Sequence, residues 1–186
     1  MDELTSAARA AGRGDRTALA RLVQQTQGDV WRLCAHLVDP AAADDLTQDT
    51  YLRAIPALPA FRGDAPVRVW LLSIARRACA AEIASRARDR RLALRLAALP
   101  GTGLGQPDAD PGAQILADDL MAALAPERRA AFVLTQMLGC SYAEAAAVCG
   151  CPVGTIRSRV ARAREDLDAL TSPSTGPRRP AASATE

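Results

Sequence analysis

The sequence predicts an all-α fold of two small helical domains that a flexible linker joins. Hydrophobic residues make up 49% of the 186-residue chain, which is enough for a core, whereas aromatic residues make up only 3%. Leu, Val and Ala must therefore fill the interior, and Ala and Leu favour helices over strands. Breaker-rich segments then divide the chain. We expect domains at residues 1–99 and 116–170, a flexible acidic Gly/Pro linker at 100–115 and a disordered tail at 171–186.

Helix-start signals organise the first domain. Asp15 precedes the apolar positions of one helix, and Asp39 followed by Pro40 combines a capping acid with Pro at the first helical position. The helix after Pro40 should stop before Pro56, because the residue before a Pro avoids the α conformation.

A loop at residues 62–66 ends in a further helix start at Pro66. The helix that follows should run to about residue 99, and a period of 3.6 residues defines its buried stripe. That predicted stripe contains Trp70, Leu71, Ile74, Ala78 and Ala81.

The second domain contains the signals of a helix-turn-helix. Pro126 separates two amphipathic helices, and Ser141 with Glu144 has the spacing of a capping box at the start of a short helix. Gly150 can adopt the left-handed conformation that a sharp turn needs, and Pro152 opens the next helix. A capped short helix, a Gly turn and a second helix form the pattern of a helix-turn-helix.

The second helix of this motif sorts into two faces. On its outward face lie Thr155, Ser158 and Arg162, with Arg157 on the flank, and these side chains suit base edges and phosphates in a major groove. The alternative is an Arg-rich solvated helix at the end of an ordinary bundle. The predicted buried stripe contains Val153, Ile156, Val160, Ala163, Leu167 and Leu170.

Charge and cysteine usage limit the function classes. All 23 basic residues are Arg, but the net charge is only +2, so bulk charge allows a nucleic-acid partner without demanding one. The five Cys follow no metal-ligand spacing and there is one His, so we expect neither a metal nor a cofactor. The sequence contains no signal peptide and no membrane-spanning apolar run, which predicts a cytoplasmic protein without membrane attachment.

Several motifs resemble the extracytoplasmic-function (ECF) sigma factors of the sigma-70 family. CPVGTIRSRVARAR at residues 151–164 is similar to their C-terminal promoter-binding domain. Three further motifs are similar to the N-terminal domain of this family: DDLTQDTYLRA at 44–54, FRGD at 61–64 and WLLSIAR at 70–76. The motifs stand in the family's order and span nearly the whole chain.

The resemblance implies a bacterial promoter-specificity factor that binds core RNA polymerase and recognises the −35 and −10 elements in transcription initiation. The helix at 44–54 would dock on the clamp helices of the largest polymerase subunit, and the C-terminal domain would lie in the flap region. The implied polymerase contacts are Asp45, Gln48, Asp49, Leu52 and Arg53.

The resemblance also divides promoter recognition between the domains. The implied −35 contacts are Thr155, Arg157, Ser158 and Arg162. The implied −10 contacts, which would hold a base flipped out of the stack, are Arg62, Gly63, Asp64, Ala65, Val67, Trp70, Arg76 and Arg77. Pro66 falls inside this loop, and Arg77 stands where relatives often carry Asn, so the −10 preference stays open.

Two other function classes compete with this interpretation. A stand-alone helix-turn-helix regulator would bind a palindromic site as a dimer without polymerase, but it gives the 44–54 segment no task. An enzyme is disfavoured, since the sequence has no clustered His, metal-binding Cys pair or phosphate loop. The resemblance allows an anti-sigma factor as a further partner, although no residue identifies one.

Overall fold

The computed structural model describes residues 3–97 and 117–171, and every regular element in these two ranges is helical. The first range forms α1 (Glu3–Gly12), α2 (Arg16–Leu37), α3 (Pro40–Ala57), a 3₁₀ turn (Leu58–Ala60) and α4 (Val67–Ala97). The second forms α5 (Ala117–Ala123), α6 (Pro126–Phe132), a π turn (Val133–Met137), α7 (Tyr142–Cys149) and α8 (Val153–Thr171). The all-α prediction is confirmed. The predicted linker at 100–115 and all but the first residue of the predicted tail lie outside the described residues.

Both predicted N-caps of the first domain are confirmed. The Asp15 carboxylate accepts the Ala18 amide at 3.0 Å, and the Asp39 carboxylate accepts the Ala42 amide at 2.8 Å. The second carboxylate oxygen of Asp39 accepts a hydrogen bond from the Arg86 guanidinium, which lowers the pKa of Asp39. One acid therefore starts α3 and joins it to α4.

The predicted end of the helix before Pro56 is wrong, because α3 continues through Pro56 to Ala57. Pro56 lies in the last turn of the helix. Its missing N–H leaves only one carbonyl, that of Leu52 four residues earlier, without its helical hydrogen bond. Leu52 is on the exposed side of α3, where solvent can satisfy this carbonyl.

The predicted stripe on α4 is only partly correct. Trp70 and Ile74 are half-buried, and Ala81 is exposed. The helix contacts α1, α2, α3 and α7, so its first half is covered from several sides rather than along one stripe. The buried residues of α4 are Val67, Val69, Leu71, Leu72, Ala75, Ala78 and Cys79.

The helix-turn-helix is confirmed in its details. The Ser141 hydroxyl accepts the Glu144 amide at 3.2 Å, and the Glu144 carboxylate accepts the Ser141 amide at 2.8 Å. Gly150 ends α7 in the left-handed region with φ of 64°. Three residues separate α7 from α8, so the second helix leaves the turn in a direction that local geometry fixes.

The two groups of helices share one continuous buried cluster. Arg68 on α4 lies where they meet: its Nε donates to Asp29 at 2.5 Å, and its Nη2 donates to the Leu138 carbonyl at 2.5 Å. From the other side, Nη1 of Arg129 donates to the Leu37 carbonyl at 3.2 Å. These arginines cross the boundary between the domains and satisfy backbone carbonyls on both sides of it.

Among the described helices, none combines the length and the apolar character that crossing a bilayer requires.

Candidate nucleic-acid interface

The outward face of α8 is the first candidate surface. Arg157, Ser158 and Arg162 are exposed on it, and half-buried Thr155 lies one turn before Ser158 and two turns before Arg162. The buried residues of the same helix are Ile156, Val160 and Ala163. All four side chains implied for the −35 element therefore lie within the first ten residues of α8, from its N-terminal turn to its middle.

The predicted buried stripe of α8 is wrong at its two ends. Val153 is 37% exposed and Leu170 is 47% exposed. A straight 19-residue helix extends beyond the short helices that pack against it, so only its middle is covered.

Polar contacts brace α8 against α6 and the π turn. Arg128 pairs with Asp166 at 2.6 Å, and Arg164 donates to the Gln136 side chain at 2.7 Å. Arg128 and Arg164 therefore have side-chain partners within the second domain, which distinguishes them from Arg157 and Arg162 on the outward face. Guanidinium groups on a braced helix can approach base edges without first ordering the helix itself.

The loop at residues 62–67 is the second candidate surface, and α1 supports it. The Arg9 guanidinium donates to the Arg62 carbonyl, and the Thr5 hydroxyl accepts the Val67 amide at 3.0 Å. Gly63 has φ of +77°. Sequence reasoning missed Thr5 and Arg9, since nothing in their local pattern marks them as partners of a loop more than fifty residues away.

A cavity of about 310 Å³ opens between the end of α3 and the first turns of α4, the helix that follows this loop. It is lined by Arg53, Ala57, Trp70, Ile74 and Arg77. The Trp70 ring lies 5.0 Å from the Phe61 ring in a tilted arrangement, and Arg77 is held by the Ser73 carbonyl at 3.0 Å. The lining thus combines an aromatic edge with fixed guanidinium groups, which suits a flat base and its phosphate.

Arg76 does not join this cavity. It lines a different cleft with Pro126 and Glu127, on the side of α4 that faces the second domain. Burial raises the pKa of the Cys149 thiol on α7, and the neighbouring Arg76 guanidinium opposes that shift. The structure therefore separates Arg76 from Trp70 and Arg77, with which the sequence had grouped it.

The residues implied for polymerase binding lie along one side of α3. Asp45, Gln48, Leu52 and Arg53 are exposed, and Leu52 is 65% exposed, which is high for a large apolar side chain. Half-buried Asp49 pairs with Arg53 at 2.9 Å. The opposite side is buried through Leu46, Thr50 and Ala54.

Sequence reasoning missed one aromatic neighbour of this surface. Trp31 on α2 is 38% exposed, and its indole N–H donates to Asp44 at 2.8 Å. This hydrogen bond holds α2 beside the exposed side of α3. The indole ring adds apolar area next to that side.

Within the described ranges, no group of His, Cys, Asp and Glu side chains has the arrangement of a metal site. Four of the five thiols are buried, and Cys151 is half-buried.

Comparison with known proteins identifies both domains. The family model for Sigma-70 region 2 matches residues 22–89, and the model for Sigma-70, region 4 matches residues 114–167. The chain is 46% identical over 175 residues to the ECF RNA polymerase sigma factor SigC of Mycobacterium tuberculosis, an alignment that covers 92% of this chain and 93% of that protein.

Solved structures agree with this comparison. CnrH in complex with the cytosolic domain of CnrY is similar with a TM-score of 0.62 and 30% identity, over 91% of this chain and 97% of that one. The sigma factor RpoE in complex with the anti-sigma factor NepR from Bartonella quintana is similar with a TM-score of 0.61 and 30% identity, over 82% of this chain and 95% of that one.

Proposed function

The chain belongs to the ECF group of sigma-70 RNA polymerase sigma factors and is a promoter-specificity factor, and from this premise we propose which of its surfaces carries each step. The observation that carries the proposal is the outward face of α8, where two arginines and a serine stand exposed on a helix whose other face is buried. Residues 1–99 would bind core polymerase and the −10 element, and residues 116–170 would read the −35 element. The linker at 100–115 would connect them, and the tail at 171–186 is assigned no task.

At the −35 element, α8 would enter the major groove with its N-terminal end foremost. Arg157 and Arg162 would donate to guanine edges or phosphates. The Ser158 hydroxyl donates its proton to the Thr155 carbonyl at 3.0 Å, so in this conformation it would act as an acceptor, for example from the amino group of an adenine or a cytosine. Thr155 would reach a phosphate at the start of the helix.

At the −10 element, the loop and the cavity would hold a base outside the stack. Flipping a base costs a few kcal/mol, which a stacking surface and nearby cations can offset. Trp70 and Arg77 line the cavity, and Arg62, Gly63, Asp64 and Ala65 would contact the strand that leads to it. Val67, also implied as a −10 contact, is fully buried and would not touch DNA. In this arrangement Arg76 faces α7, so its contact with DNA would require the two domains to separate.

Simultaneous binding of the −35 and −10 elements would also require the two domains to separate. Core polymerase would hold the first domain by the exposed side of α3 and the second at the flap region, and would thereby set the distance between the two reading surfaces. The −1 net charge of residues 117–170 supports this dependence, because it provides little nonspecific attraction to DNA.

An anti-sigma factor is a further partner that we propose to look for, because the similar RpoE structure is a complex with one. The stand-alone dimeric regulator is not favoured, since the region 2 match covers residues 22–89, for which that function has no use. The family consists of initiation factors without catalytic activity of their own, and the proposal assigns no catalytic residue.

Run-off transcription tests the proposal. Purified core RNA polymerase is incubated with a promoter library from the source genome, with and without the full-length protein. We expect a defined set of promoters to be transcribed only when the protein is present, and the protein alone to bind these duplexes weakly. If no promoter were transcribed above the level of core enzyme alone, the proposal would fail, and tight binding to a palindromic duplex without polymerase would favour the dimeric regulator instead.

A further inference from the structure

We propose that α1 is the positioning element of the −10 reading loop, with Thr5 and Arg9 as the residues that fix the loop for base recognition. The inference rests on the proposed function of residues 62–67. It adds two residues that contact no DNA in the proposal but decide whether the loop has the right shape.

The start of α4 is capped from outside its own segment. The first amides of a helix need acceptors that the helix does not supply, and an N-cap side chain usually provides one. Here Ala65 and Pro66 precede the helix, and neither has a side-chain acceptor. The hydroxyl of Thr5, which is 2% exposed, takes that role by accepting the Val67 amide at 3.0 Å from 62 residues away.

Arg9 fixes the other half of the loop. Its guanidinium donates to the Arg62 carbonyl and lies over the α-carbon of Gly63. A Cβ at Gly63 would lie 2.7 Å from Nη2 and 3.0 Å from Nε of Arg9. The absence of a side chain at Gly63 and its φ of +77° thus allow the guanidinium to reach the backbone of the residue before it.

The C-terminal end of α1 approaches the chain just before the loop. A Cβ at Gly12 would lie 2.7 Å from the carbonyl oxygen of Leu58, in the 3₁₀ turn that leads into the loop. Contacts with α1 therefore occur before the loop, within it and at its end. The loop cannot shift without breaking at least one of them.

This support matters because the loop sets the position of Trp70, which lines the candidate base pocket. Phe61 lies before the loop and Trp70 lies in the first turn after Val67, and their rings are 5.0 Å apart. A binding constellation must be held to about 0.5 Å by residues that are themselves fixed. The Thr5 and Arg9 bonds provide that fixation, and neither residue lines the cavity.

The test uses full-length variants with core polymerase and a promoter library randomised at the −10 and −35 elements. Thr5→Val removes the hydroxyl at nearly constant volume, and Arg9→Met removes the guanidinium while keeping the aliphatic stem. We expect Thr5→Val to lower sequence enrichment at −10 about fivefold, the size expected for one lost helix cap, and Arg9→Met to lower it as well, with −35 enrichment unchanged in both. Thr5→Ser keeps the hydroxyl and should restore −10 enrichment.

Three readouts separate positioning from general damage. Arg13→Met removes the same charge next to α1 from an exposed site and should behave as wild type. The Val67 amide should exchange faster with solvent in Thr5→Val than in Thr5→Ser, and polymerase affinity should stay constant in both. If wild type discriminates at −10 and both Thr5→Val and Arg9→Met discriminate equally well, the inference is overturned while the proposed function stands; if wild type itself shows no promoter preference, the proposed function fails first.

Discussion

The two regions proposed to read DNA are built in opposite ways. The helix-turn-helix that carries α8 is shaped by contacts close in the chain, since a capping box between residues three apart starts α7 and the left-handed Gly150 ends it. The side chains that brace α8 also come from the second domain. The loop at 62–67 is shaped by contacts with residues 53 and 62 positions away. Local contacts form with the helices they belong to, whereas the loop reaches its shape only after α1 has docked. The −35 surface should therefore tolerate changes in the first domain, whereas the −10 surface should be sensitive to changes in α1.

Among the variants that test this difference between the two regions, Arg162→Ala is expected to have the largest effect on promoter recognition. The loss of a bidentate guanidinium contact should reduce base discrimination at one −35 position by about 1–3 kcal/mol. Discrimination at −10 should not change, because no contact of the loop passes through α8. The measurement is transcription from promoters with single substitutions in each element.

Arg164→Ala is the matched comparison, because its guanidinium braces α8 through Gln136 instead of reading a base. It should weaken −35 binding for all sequences alike and leave base discrimination intact. Unchanged promoter choice in Arg162→Ala would refute the role given to Arg162.

A second prediction compares two glycines at positive φ. Gly63→Ala and Gly150→Ala both place a side chain in the left-handed region, which costs roughly 1–2 kcal/mol. Nothing lies within 4 Å of a Cβ at Gly150, whereas a Cβ at Gly63 would meet Arg9. Gly63→Ala should therefore have the larger effect and act at −10, whereas Gly150→Ala should lower only thermal stability and −35 binding.

Library transcription and thermal unfolding of both variants check this pair. Equal losses at the two elements in Gly63→Ala would show that the loop is not an independent reading surface. That result would contradict the proposed difference between the two reading surfaces.

The smallest effect is expected from Asp39→Asn, which keeps an N-cap acceptor but removes the ion pair with Arg86. The Arg86 bond lowers the pKa of Asp39 in the folded state, so its stabilisation is present above the unfolded pKa, about 3.9, and is lost as the pH falls through the folded value. Because the side chains are 43% and 34% exposed, we expect ~0.5 kcal/mol or less at pH 7. Unfolding of wild type and variant from pH 7 to pH 2 should show the difference disappear, with promoter discrimination equal throughout.

The sequence was most informative where structure is decided locally. The caps at Asp15, Asp39 and Ser141 and the turn at Gly150 follow from residues within one helical turn of each signal, and all four predictions are confirmed. The helix end before Pro56 was wrong because a Pro in a last turn removes only one bond, at an exposed position.

The −10 region was only partly predictable for a different reason. A loop and a helix start were expected near Pro66, but a cap supplied by Thr5 depends on how α1 packs in three dimensions. The same limit separates Arg76 from Trp70: spacing along α4 cannot show that α7 covers one side of the helix. The roles of the individual DNA and polymerase contacts stay predictions.

The continuous buried cluster has a calorimetric consequence. Because apolar contacts run without interruption from the first domain into the second, with Arg68 bonded across the boundary, we expect the free protein to unfold in a single cooperative transition. Arg68→Ala should split or broaden that transition, because the variant lacks a contact that couples the unfolding of the two domains. The free energy that couples the two domains is also the amount that any partner holding them apart must supply from its own binding.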